Sequence, residues 1–136
     1  MSTSDFDLAL PPTDPREREL WLQHAAGFIL FEDARQYARD QLDPGLDDAA
    51  RQAAHKAIDD TMYGLMMVID GVTGALTNAE LSVTLQVSAQ LTRRRVTPDG
   101  LVQHLNLAEG DGMCMGYHFW RAGDFGANDV AVRKPK

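Results

Sequence analysis

The chain is almost without cysteine: Cys114 is the single one among 136 residues. One thiol cannot close an internal disulfide, which excludes a disulfide-stapled secreted scaffold and suits a reducing compartment, so a cytoplasmic location is expected. Long apolar runs are missing as well. Runs such as Phe28 to Phe31 and Leu65 to Ile69 fall far short of the ~18 residues a membrane span requires, so no membrane insertion is expected. The opening MSTSDFDLALPPTDP has acids but no basic segment ahead of an apolar stretch, and does not read as a signal peptide. Basic residues are scarce, with 13 Lys and Arg against 20 Asp and Glu for a net charge of −7. The one basic run, Arg93-Arg94-Arg95, is too small a footprint for neutralising phosphates and argues against a nucleic-acid partner. No GxGxxG, P-loop, GxSxG, HExxH or paired ExxH pattern is present, so no catalytic residue and no cofactor is nominated.

What the chain does have is acid, unevenly placed. Residues 1–60 carry 13 acids and 6 bases, whereas residues 61–136 carry 7 of each. An acidic half of this kind keeps a protein soluble or steers a basic partner towards it. The length fits one domain, and at this size the core can form without staples. We expect a flexible tail over residues 1–13 and a single α+β domain over residues 14–136.

The helical half is the more legible one. Asp14-Pro15-Arg16-Glu17 is a helix start, with Asp14 as cap and Pro15 in the first turn. The predicted helix runs to about Leu42, with a bend expected near Gly27 because a straight rod of that length would exceed a domain of this size. Asp43-Pro44-Gly45 stops it. Asp47 or Asp48 then caps a second helix, whose Ala57 to Gly71 stretch carries Met62, Leu65 and Ile69 at helical spacing and Gly64 as a point of close approach. Gly71 and Gly74 end it. A lone alternating run follows, with Leu81, Val83, Leu85, Val87, Ala89 and Leu91 on one face, and predicts a strand from Glu80 to Thr92. Thr97-Pro98-Asp99-Gly100 marks a turn and Leu101 to Leu107 its return strand, with a helical turn over residues 103–108 as the alternative. Met113 to Arg121 is read as a third strand, and residues 127–136 as a short edge strand or tail. The expected architecture is therefore α+β: two antiparallel helices packed on one face of a small antiparallel sheet of about three to four strands, the Leu81 to Val87 face meeting Ile58, Met62, Leu65 and Ile69.

Candidate chemistry is sparse. His55 and Asp59 lie four apart on the second helix, as do Lys56 and Asp60, and each pair reads first as a solvated ion pair. His55 with Asp59 is the alternative start of a metal site, which would need further ligands such as His24 or Glu32. Asp70 is either a partly desolvated general base or the carboxylate of an Asp-Gly turn. Cys114 and His118 invite a nucleophile and base, but on a strand they stand about 13 Å apart. The segment from Gly116 to Gly126 holds the most unusual combination, Tyr117, His118, Trp120, Arg121 and Asp124, residue types that contribute disproportionately to binding surfaces. The same residues also fit a core strand in which Asp124 pairs with Arg121.

These features favour a small acidic, non-enzymatic interaction protein with a protein partner, an inhibitor or immunity-like module for a basic one. The alternative is a small-molecule-binding or metal-dependent hydrolytic domain, with a pocket between helices and sheet lined by Met62, Met66, Phe28 and Trp120. Homo-oligomer formation is left open.

Overall fold

Helices dominate the core because the apolar residues that recur at helical spacing have one another to bury against, while the strands are short. The computed structural model describes residues 2–96 and 98–136. Thr97, the first residue of the expected turn, and Met1, the start of the expected tail, lie outside the described residues.

In chain order the elements are β1 (Phe6–Leu8), α1 (Pro15–Leu30), a π-helical turn (Phe31–Arg35), α2 (Gln36–Asp40), α3 (Asp48–Ile69), β2 (Ala75–Thr77), β3 (Ser82–Thr84), β4 (Ser88–Thr92), β5 (Leu101–Asn106), α4 (Met113–Arg121) and β6 (Ala131–Arg133). Among the described residues the strands form three separate two-stranded antiparallel sheets, β1 with β6, β2 with β3 and β4 with β5. The chain is thus α+β, as expected, but with three helical rods and three hairpin-sized sheets in place of two helices on one sheet. No helix among the described residues is long and apolar enough to cross a membrane.

Both helix starts follow the sequence signals. Asp14 caps α1 by accepting from Glu17 N at 3.0 Å, and Asp47 caps α3 by accepting from Ala50 N at 2.8 Å. Gly71 adopts φ +77° just past the end of α3, a conformation that costs glycine nothing. The irregularity in the first helix falls at Phe31–Arg35, four residues later than expected. Gly27 has a different task. A Cβ there would lie 2.6 Å from the indole of Trp120, so the missing side chain is what lets α4 approach α1. Gly64, expected to do this, faces open space.

Further expectations are corrected. Residues 113–121 form the helix α4, not a strand, and α4 packs against both α1 and α3. The alternating run breaks at residues 85–87 into β3 and β4, which pair with different partners. Its supposed core face is in water: Leu81 is 71% and Leu85 66% exposed. Leu65, also expected inside, is 38% exposed, while Met62, Met66 and Ile69 are buried. The segment read as a tail is anchored, since Thr3 N donates to Asp33 Oδ1 at 2.8 Å, β1 pairs with β6, and Phe6 meets Phe28 edge-on at 5.0 Å. The hairpin of β4 with Leu101–Asn106 forms as expected, and β6 is the expected short edge strand.

The core is one cluster in which Trp21 and Leu22 of α1, Met62 and Met66 of α3, Leu105 and Leu107, and Met113, Tyr117 and Trp120 of α4 meet. Phe125, folding back after α4, stacks parallel to Trp120 at 6.2 Å and meets Phe28 and Phe31 edge-on.

Candidate functional site

Of the expected binding set, Tyr117 and Trp120 are interior and His118, Arg121 and Asp124 are at the surface. The set is therefore split by α4 between the core and water. Tyr117 donates to Asp59 Oδ1 at 2.6 Å, and Trp120 Nε1 donates to His24 Nδ1 at 2.9 Å. Among the described residues no ion pair joins Arg121 to Asp124; Asp124 Oδ1 instead accepts from Gly126 N at 3.0 Å.

Asp59 is not a solvated partner of His55. Arg35 Nε lies 2.6 Å from Asp59 Oδ1 and Arg39 Nη2 3.3 Å from Oδ2, with the carboxylate 12% exposed. Burial alone would push this carboxyl up, but hydrogen bonds from Arg35 and Tyr117, with the charges of Arg35 and Arg39, outweigh it and hold it at about 2. Tyr117 is pushed up to about 12 by burial and by the same bond seen from its other end. Lys56 and Asp60 do form the expected exposed pair, at 2.6 Å. Among the described residues no three His, Cys, Asp or Glu side chains are grouped to hold a metal ion. Met62, Met66 and Trp120, expected to line a pocket, fill the core instead.

Asp70 has a task that neither reading gave it. Oδ1 accepts from Met113 N at 2.6 Å and Oδ2 from Cys114 N at 2.8 Å, so it caps α4 from 43 positions upstream and places its charge at the positive end of that helix. We expect Asp70→Ala to cost about 1–2 kcal/mol, in the range of lost N-caps, read as a lower denaturant midpoint at unchanged m-value. On the helix Cys114 and His118 are one turn apart, which removes the distance objection to their pairing. The thiol is nevertheless pushed up, first by burial and then by Asp70, which opposes the thiolate that nucleophilic chemistry needs.

Accessible polar groups gather in a groove between the start of α1, the loop at residues 110–112 and the outer face of α4. Gln23, buried on α1, holds that loop from both sides: its Nε2 donates to Gly112 O at 3.0 Å and its Oε1 accepts from Asp111 N at 2.8 Å. A side chain at Gly110 would collide with that amide. The groove has two adjoining parts of about 580 and 270 Å³ that share Leu20, Gln23 and Asp111. Asp14, Glu17, Glu19 and Asp111 rim the first, with Arg16 as its single base. Leu20, Met115 and Phe119 give the second an apolar lining, with Asp124 and His24 at its far end. The indole N–H can only donate, so His24 Nδ1 is the acceptor and the neutral ring carries its proton on Nε2. Burial lowers the His24 pKa, and Asp124 and Asp111 oppose it only in part.

No family model, curated protein or solved structure matches this chain. The groove must therefore be read from its own chemistry. Its carboxylates are spread along an open rim and no nucleophile sits among them, an arrangement suited to recognition of positive charge beside apolar side chains. Sequence reading missed Gln23, Leu20 and Met115, whose one signal was their spacing on helices; it found Asp124 but attached it to the wrong neighbours.

Proposed function

We propose that the protein is a non-enzymatic binding module that docks a basic, amphipathic segment of a partner protein in the groove between α1 and α4, as an inhibitor or immunity-like protein would. The observation that carries this reading is the pairing of five carboxylates, Asp14, Glu17, Glu19, Asp111 and Asp124, with the exposed Leu20, Met115 and Phe119. Lysine or arginine side chains have acceptors along the rim, and apolar anchors have the floor between them. Rim charges of this kind act mainly on encounter rate and register, while the apolar contacts hold the complex.

The test is titration of a lysine- and leucine-rich amphipathic peptide against the full chain by calorimetry. Glu19→Lys combined with Asp111→Lys should weaken binding by roughly tenfold or more, and raising the salt from about 50 to 300 mM should weaken it further. Phe119→Ala should raise the off-rate with little effect on salt dependence. Binding unchanged by the double charge reversal would overturn the reading.

A further inference from the structure

The β2–β3 hairpin stands out from the rest of the molecule. Every residue from 71 to 88 is exposed, and six of them are large and apolar: Val72, Leu76, Leu81, Val83 and Leu85 are 66–79% exposed and Val87 is 39% exposed. The arm is nonetheless well formed. β2 and β3 pair in register, and the turn is tied by Asn78, whose Oδ1 accepts from Glu80 N at 2.9 Å and Leu81 N at 2.7 Å. A lone two-stranded hairpin is at best marginally stable in water, and open strand edges bearing aliphatic side chains invite pairing.

At the root of the arm lies a second exposed apolar surface. Val87 to Leu91 and one side of α1 enclose a groove of about 360 Å³ whose lining, including Leu8, Ala25, Ile29 and Leu91, contains no charged residue. Leu8 and Ile29 are more than half exposed there.

We infer that the occupant of this groove is the hairpin arm of a second copy of the chain, in a two-fold dimer where each arm lies along the other copy's groove. Three observations select a second copy over a foreign protein. The first is charge: between residues 71 and 92 the one ionisable residue is Glu80, and the groove has none. Two chains of net charge −7 repel across most of their surfaces, and arm and groove form a neutral face where they can meet. The second is fit. From Leu85 to the turn at Ala79 the arm reaches roughly 20 Å at ~3.3 Å per residue, and α1 lines the groove from Trp21 to Leu30 over roughly 14 Å at ~1.5 Å per residue. The third is closure. Because arm and groove adjoin at Val87, a two-fold axis there exchanges both at once and leaves neither face uncovered, as an isologous interface requires. An interface of standard size needs about 800 Å² per partner, and the two-fold arrangement contributes two arm–groove contacts towards it.

Sedimentation equilibrium of the full chain tests this. The expected mass is twice that of the chain, with association unchanged or strengthened as salt rises from about 50 to 500 mM, the reverse of what the acidic groove predicts for a basic ligand. Leu76→Lys combined with Val83→Glu puts an opposite-charge pair on the arm, because the two residues face each other across β2 and β3. This variant, and separately Ile29→Asp in the groove, should each raise the dimer dissociation constant at least about a hundredfold while leaving the circular dichroism of the chain intact, since all three side chains are exposed. Mixing the arm variant with the groove variant should restore part of the association, because one intact arm then meets one intact groove. A monomer at concentrations up to about 100 µM, a dimer indifferent to both variants, or no recovery on mixing would each overturn the inference. None of these outcomes touches the α1–α4 groove, so the two proposals fail separately.

Discussion

Replacing Trp120 with alanine should remove about 4 kcal/mol of stability, the largest single loss expected in this chain. The indole is 1% exposed and joins three elements. Gly27 of α1 lies under it, Phe125 stacks on it from the segment after α4, and its N–H is bonded to His24. Truncation leaves a cavity that the glycine side cannot fill, orphans the His24 acceptor, and deprives Phe31 and Phe125 of their partner. For a domain of this length the thermal midpoint should fall by roughly 10–15 °C. Total stabilities are about 5–15 kcal/mol, so a partly unfolded population at room temperature is within reach. The complementary change, Gly27→Ala, inserts a methyl into the same contact and should cost about 1–3 kcal/mol by overpacking. If Trp120→Ala moved the midpoint by only a degree or two, the junction of α1 and α4 would not be where the core is held.

The second large effect is expected at Asp59. Asp59→Asn keeps the shape but removes the charge that Arg35 and Arg39 face and the carboxylate that Tyr117 donates to. Leaving two cations without their anion in a mostly buried setting should cost about 3 kcal/mol, more than the pair contributes as a unit. The wild-type protein offers a second measurement through pH. The Asp59 pKa is lower in the fold than in the unfolded chain, so its contribution is present above about pH 4 and is lost as pH falls towards about 2, where the folded carboxyl finally protonates. The gap is equivalent to roughly 2 kcal/mol. Denaturant melts between about pH 6 and 2 should therefore show less acid destabilisation in Asp59→Asn than in the wild type. Parallel acid profiles for the two proteins would show that Asp59 does not carry this linkage.

Asp59 also shows why the site was only half legible. Its spacing from His55 predicted a surface pair along one helix, and the neighbouring Lys56 and Asp60 do form one. The partners that Asp59 has are 24 and 20 positions upstream and 58 downstream, and no local pattern records them. Gln23 and Leu20 were equally silent, and His24 was marked only as a further ligand for the alternative metal site, because a helical face acquires a role only when another element is laid against it.

The sequence by itself determined what depends on near neighbours. Asp14 with Pro15, and Asp47 at the head of α3, fixed both helix starts because a cap is an interaction over three residues. The acidic bias of residues 1–60 was equally plain, whereas Leu101 to Leu107 fitted either a return strand or a helical turn, and the pairing with β4 decided for the strand Leu101–Asn106. Only the tertiary structure decided the state of residues 113–121. Alternation and helical period fit those nine residues about equally well, and Gly112 gives no side-chain cap. The cap that settles the matter is Asp70, which becomes a neighbour of Met113 and Cys114 only after α3 and α4 have packed together. The run from Leu81 to Leu91 was undone in the same way: its alternation is intact, but at residues 85–87 the strand leaves one partner for another. A period of two specifies which side chains share a face, and what covers that face is set by pairings far away in the chain.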